Sequence, residues 1–133
     1  MITEDYVNFE IATLLKEKGF NEKCRAFYTN SVDIGVEFFT SDDYIDYSSV
    51  YPITICPTLQ MAIKWLREVH KILILIDWEL SEKEYIAYMW EIEKERQQQG
   101  LNKFRKDGKY LFQYPSYEEA CEKLLLFILK NII

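Results

Sequence analysis

From residue 57 to residue 70 the apolar side chains recur at helical spacing, and an uninterrupted aliphatic run starts two positions later. Leu59, Ala62, Ile63, Leu66 and His70 fall on one face of this helix, with Met61, Trp65 and Val69 on an adjacent stripe. Gln60, Lys64, Arg67, Glu68 and Lys71 fall on the wet side, making this the strongest amphipathic pattern in the chain. Pro57 suits a first helical position and Thr58 suits a cap. The five consecutive aliphatics Ile72, Leu73, Ile74, Leu75 and Ile76 read as a central strand, 72–78, covered on both faces. The fold is therefore organised around this helix and the strand that follows it.

The flanking segments add elements of both kinds. Thr3 is placed to cap an N-terminal helix over 4–18, with Glu4 and Asp5 in its first turn and Gly19 free to take a left-handed conformation after its end. Residues 24–28 and 33–39 are β-rich and could turn at Asn30-Ser31, giving a short hairpin. Residues 40–49 form a polar, acidic loop, and 51–56 is extended because Pro52 and Pro57 push their predecessors away from helix.

Residues 81–100 carry two conflicting signals. Ser81-Glu82-Lys83-Glu84 is a capping-box pattern and the Glu, Lys and Gln content favours helix. Against this, Ile86, Tyr88, Trp90 and Ile92 alternate with Ala87, Met89, Glu91 and Glu93, as on a strand. A basic loop, 94–109, leads to a third strand, 109–114, ended by Pro115. Ser116-Tyr117-Glu118-Glu119 is a second capping box. It opens a last helix whose residues 124–129 are apolar all round, hence deeply buried. The expectation is an α+β fold in one domain, 1–133. It has an N-terminal helix and short hairpin, then α-β-β-β-α, with a small antiparallel sheet packed on helices.

A chain of 133 residues buries roughly two-thirds of its unfolded surface. With 49% hydrophobic residues it can hold a core without disulfide or metal staples. Cys24, Cys56 and Cys121 are odd in number and form no Cys-x-x-Cys pair, so they read as free, buried thiols in a reducing compartment. The N-terminus is acidic and lacks the basic and apolar regions of a secretory signal, and no apolar run approaches the ~20 residues of a membrane span. The expected location is the cytoplasm. The net charge of −6 disfavours nonspecific binding to nucleic acid or to anionic membranes. The 10 Tyr fit a Tyr-rich sheet, and at exposed positions they fit an interface.

No assembled chemistry emerges. His70 is the only histidine, so any nucleophile–histidine site must use it. Cys56 is the nearest thiol in sequence, but the helix between them separates the two by about 20 Å. At a helix C-terminus the charged form of His70 is expected to be favoured. Three scattered Cys and one His do not supply a zinc site. An EF-hand loop begun at Asp42, in the cluster Asp42, Asp43 and Asp46, would need Gly and Glu where the chain has Tyr47 and Ile53. Glycines are too few for a phosphate-cradling loop. No catalytic, cofactor-binding or metal-binding residue is assigned and no cofactor is expected. Paired carboxylates stay open as a basis for a small enzyme.

The α-β-β-β-α order is shared with double-stranded-RNA-binding domains, and Lys94, Arg96, Lys103, Arg105, Lys106 and Lys109 would be the contact residues. Such domains carry a lysine cluster at the start of the last helix. Here Glu118 and Glu119 stand there, so nucleic acid is the disfavoured alternative.

The central stretch Pro57-Thr58-Leu59-Gln60-Met61-Ala62-Ile63-Lys64-Trp65-Leu66-Arg67-Glu68-Val69-His70 resembles a signature of a family of small uncharacterised proteins encoded by gut Bacteroidales and by their phages and mobile elements. The opening Phe9-Glu10-Ile11-Ala12-Thr13-Leu14-Leu15-Lys16-Glu17-Lys18-Gly19-Phe20 and the closing Tyr117-Glu118-Glu119-Ala120-Cys121 are similar to the same family's ends. The resemblance decides the ambiguous segment in favour of a strand paired with 72–78. It implies a genomic setting and no activity, cofactor or catalytic residue. The expected function is that of a non-enzymatic accessory protein that binds a host or phage protein. Lys94, Arg96, Lys103, Arg105 and Lys106, with Tyr44 and Tyr47 in the loops, are the candidate interaction residues.

Overall fold

A computed structural model of the chain describes residues 2–29, 37–38, 53–92, 105–106, 109–110 and 112–133. The fold is α+β, as the sequence predicts, and divides into two compact units, Met1–Met61 and Ala62–Ile133.

In the first unit, helix α1 spans Phe9–Glu17 and buries Ile11, Ala12 and Leu15. Its cap is Asn8, whose side-chain oxygen accepts from the Ile11 amide at 2.8 Å. The helix expected from residue 4 begins later because residues 5–7 pair with the stretch before the next helix. Val7 N donates to Pro57 O at 3.1 Å, Leu59 N donates to Asp5 O at 2.8 Å, and Tyr6 bridges Thr58. Backbone groups committed to that pairing cannot enter a helical ladder. At the other end Gly19 takes φ +96°, and the Phe20 amide donates to Leu15 O and the Gly19 amide to Lys16 O. This is the left-handed C-terminal closure the sequence suggests.

Strands β1 (Ala26–Tyr28) and β2 (Glu37–Phe38) form the expected hairpin pair. Strand β3 (Thr54–Cys56), read from sequence only as extended, adds to the other side of β1, giving the order β2-β1-β3. Tyr28 Oη donates to Val7 O at 2.7 Å, tying the sheet to the segment that precedes α1.

Helix α2, Leu59–Val69, starts where Thr58 Oγ1 accepts from the Met61 amide at 3.1 Å. Leu59, Ala62, Ile63, Trp65 and Leu66 are buried, as the periodicity requires, whereas Val69 is exposed. Lys71, with φ 56°, turns the chain directly into the next strand.

The second unit is built on a sheet of order β4-β5-β8: β4 is Ile72–Glu79, β5 is Glu84–Glu91 and β8 is Phe112–Tyr114. The ambiguous segment is thus a strand over 84–91. Its apparent capping box is the turn of the β4–β5 hairpin. Ser81 Oγ donates to Glu79 Oε1 at 2.7 Å, and Lys83 takes φ 54°. Strand β4, expected at the centre, lies at an edge of this order, and β5 is central. The expected single strand 109–114 is divided. β7 (Lys109–Tyr110) pairs with β6 (Arg105–Lys106), and only β8 pairs with β5.

Cross-strand partners share a face in an antiparallel sheet. The register Ile74↔Met89, Ile76↔Ala87 and Ala87↔Phe112 therefore gathers these residues on one side. Helix α3, Tyr117–Asn131, packs on all three strands, and the Phe112 and Phe127 rings lie 5.3 Å apart. Ser116 caps it by accepting from the Glu119 amide at 3.1 Å. Ala120, Cys121, Leu124, Leu125, Ile128 and Leu129 are fully buried. Leu126 and Phe127 are only half-buried, so the all-apolar stretch sinks one stripe and not its whole circumference.

Candidate functional site

The turn between β4 and β5 places one row of aromatic rings across the sheet. Trp78 is the register partner of Tyr85, and Tyr85 is the partner of Tyr114. Trp78 and Tyr85 meet edge-to-face with centroids 4.9 Å apart, and Tyr117, the first residue of α3, stands 5.9 Å from Tyr85. Edge-to-face contact suits the charge distribution of aromatic rings and holds each at a fixed angle. The row continues the face that α3 covers, but it extends past the end of that helix. Trp78 is left 49% exposed and Tyr117 37%, with Leu80 at 76% beside them in the turn. Contiguous exposed apolar rings with a polar rim are the usual mark of a contact surface.

Glu82 lies in the turn, and Glu118 and Glu119 follow Tyr117. Asp77 and the cross-strand partners Glu79 and Glu84 flank Trp78↔Tyr85 in register and so lie on the opposite face of the sheet. On that face Tyr88 Oη donates to Asp77 Oδ2 at 2.6 Å.

Among the sequence-derived interaction residues, Arg105 and Lys106 lie in β6, opposite Tyr110 and Lys109. Lys94, Arg96, Lys103, Tyr44 and Tyr47 lie outside the described residues, as do Asp42, Asp43 and Asp46. The aromatic row was not among the expectations. Its signal in the sequence was slight: Trp78 stands just past the aliphatic run, where the strand turns polar.

The reactive side chains are held in unreactive states. Burial pushes the Cys24 thiol up to about 12, that of Cys56 to about 11 and that of Cys121 to about 12. All three are therefore protonated at neutral pH and are poor nucleophiles. Cys56 Sγ donates to Val7 O at 3.3 Å. Among the described residues no group of three or more His, Cys, Asp and Glu side chains could hold a metal ion. No helix among them is long and apolar enough to cross a membrane.

His70 differs from its sequence expectation. Its ring meets Trp65 edge-to-face at 4.6 Å, and its Nε2 is buried without a hydrogen-bond partner. Burial lowers its pKa from the ordinary 6.5, so the neutral ring is favoured despite the helix terminus. A histidine with a folded pKa below its unfolded one stabilises the fold above the unfolded value. That stability is lost as pH falls through the folded value. His70→Phe, which keeps a ring on Trp65 and removes the titration, should therefore lose less stability than wild type between about pH 7.5 and about pH 5.5. Urea midpoints at the two pH values check this, and equal losses would contradict it.

Comparison of the chain with protein-family models, with curated proteins and with solved structures gives no match to any of them.

Proposed function

We propose that the chain is a small non-enzymatic accessory protein that acts by binding another protein, and that the Trp78–Tyr85–Tyr117 surface is where it does so. The observation that carries this reading is Trp78. A tryptophan braced at a fixed angle by Tyr85 is left half exposed in an aromatic row. Rigid aromatics lose little side-chain freedom on docking and dominate binding energy at interfaces. The buried, protonated thiols are poor nucleophiles, and His70 Nε2 has no hydroxyl or thiol hydrogen-bonded to it among the described residues. A carboxylate-based enzyme has less support, because Glu79 is already engaged by Ser81 in the turn. The nucleic-acid alternative rests on β6 and β7, where Lys106 and Lys109 are register partners, and has Glu118 and Glu119 against it. The resemblance to proteins of gut Bacteroidales, their phages and mobile elements supports a setting in the cytoplasm of a bacterial host. The partner would then be a host or phage component.

A photo-crosslinking residue at position 78, in cells of such a host, tests the reading. The expected result is a discrete crosslinked species that is missing when the same residue replaces Glu17, exposed on α1. Identical patterns from both positions would overturn the assignment of the surface.

A further inference from the structure

We infer that the chain pairs with a second copy of itself, strand β4 against strand β4, antiparallel about a two-fold axis at Leu75; the inference goes beyond the surface proposed above and does not rest on it. The backbone carries it first. The Ile92 amide donates to Lys71 O at 2.8 Å, and these two residues continue the β4–β5 register by one step. Along an antiparallel ladder, pairs that bond to each other alternate with pairs that do not. Leu73, Leu75, Asp77 and Glu79 therefore bond to β5, and the N–H and C=O groups of Ile72, Ile74, Ile76 and Trp78 point away from it. Among the described residues no group takes them. Nothing within β4 guards that edge. It is eight residues long, pairs with β5 without a bulge and holds neither Pro nor Lys. Edges that stay solitary are shortened, bulged, or given Pro or Lys.

The charges select a second copy as the occupant. Lys71 directly precedes the strand, Asp77 and Glu79 end it, and the five residues from Ile72 to Ile76 are aliphatic. Centred on Leu75, the antiparallel pairing sets Ile72 against Trp78 and Ile74 against Ile76, so every outward residue meets an outward residue. It also sets Lys71 level with Glu79 of the second copy. Within one copy Glu79 faces Glu84 across the ladder, and like charges directly opposite destabilise a strand pair. The incoming Lys71 stands on the other side of Glu79 and offsets that repulsion. Lys71 is exposed, and among the described residues neither it nor Glu79 is in an ion pair. The neighbouring register, about Ile74, leaves Trp78 unmatched within the strand and sets Lys71 against Asp77, which Tyr88 already engages. A two-fold pair uses both edges at once and closes, so no further copy adds.

Sedimentation equilibrium of the full chain tests the pairing, and the expected species is a dimer that dissociates on dilution. Lys71→Glu and Glu79→Lys should each raise the dimer Kd about tenfold, because each turns an attraction into a repulsion at two symmetric places. The double variant Lys71→Glu/Glu79→Lys should restore it, and far-ultraviolet circular dichroism checks that all three fold. Cysteine crosslinking reads the register. Leu75 meets its own copy in a pair without mutual hydrogen bonds, with Cα atoms about 4.5 Å apart, within disulfide reach. Oxidised Leu75→Cys should therefore run as a covalent dimer on a non-reducing gel. Leu73→Cys, on the same face, lies about 13 Å from its own copy and should not, nor should the wild type with its three buried thiols. A chain that stays monomeric up to about 1 mM overturns the inference. So does equal crosslinking, or none, from positions 73 and 75. A dimer that Trp78→Ala dissociates and Lys71→Glu does not would belong to the aromatic row and would overturn it too.

Discussion

Leu124→Ala should lower the stability of the chain by about 2–5 kcal/mol, the range for deleting a buried leucine whose surroundings close only partly over the gap. Leu124 is fully buried on the stripe of α3 that also carries Cys121, Leu125 and Ile128, and α3 packs on β4, β5 and β8. In the second unit α3 is thus the helix that covers one face of the three-stranded sheet, and its stripe supplies the side chains that meet that face. Lys123→Ala, one position away on the exposed side, should change stability by less than about 0.5 kcal/mol. Urea unfolding followed by circular dichroism checks the pair. The midpoint should fall for Leu124→Ala with little change in slope, and Lys123→Ala should overlay wild type. Equal midpoints for the two variants would mean that α3 does not supply the core of this unit.

The helices were legible because their signals agree at two levels. In α3, Ser116 and Glu119 mark the start, and residues 120, 121, 124, 125, 128 and 129 then keep helical period. In α2, Thr58 caps a face of the same period. The two serine motifs show why the level above the cap decides. Ser116-Tyr117-Glu118-Glu119 opens a helix, whereas Ser81-Glu82-Lys83-Glu84 closes a hairpin. Both have the side chains for a capping box. After Ser81, however, Tyr85, Ala87 and Met89 alternate with Ile86, Tyr88 and Trp90, and β4 offers a partner for every residue of that alternation. Long-range pairing outweighs helix propensity worth a few tenths of a kcal/mol per residue.

What the sequence did not reveal depends on register and on long-range backbone pairing. Nothing local says that residues 5–7 will bridge to 57–59 and delay α1 to Asn8. Nothing local brings Tyr117 beside Tyr85, or says that β5 and not β4 is central among the described strands of this sheet. The candidate surface consists of such juxtapositions. Sequence reasoning looked instead to charged and Tyr-bearing loops, where composition alone is visible.

Trp78→Ala should leave the fold nearly intact and weaken binding by about 2 kcal/mol or more, roughly thirtyfold in Kd. The two halves of that expectation have different origins. In the free chain the indole is 49% exposed and its ring meets that of Tyr85. Truncating it therefore removes the covered half of the ring and an edge-to-face pair worth about 1 kcal/mol, less than the loss of a fully buried side chain. In a complex the same ring is desolvated on its open side, and its loss leaves a gap against the partner that the braced Tyr85 cannot move to fill. Trp78→Phe, which keeps a ring in the row, should recover part of the affinity. Urea midpoints and titration of the captured partner, made on the same three proteins, separate the halves. A drop in stability as large as that of Leu124→Ala would make Trp78 a core residue that happens to reach the surface. Unchanged affinity with an unchanged midpoint would move the contact away from this end of the sheet.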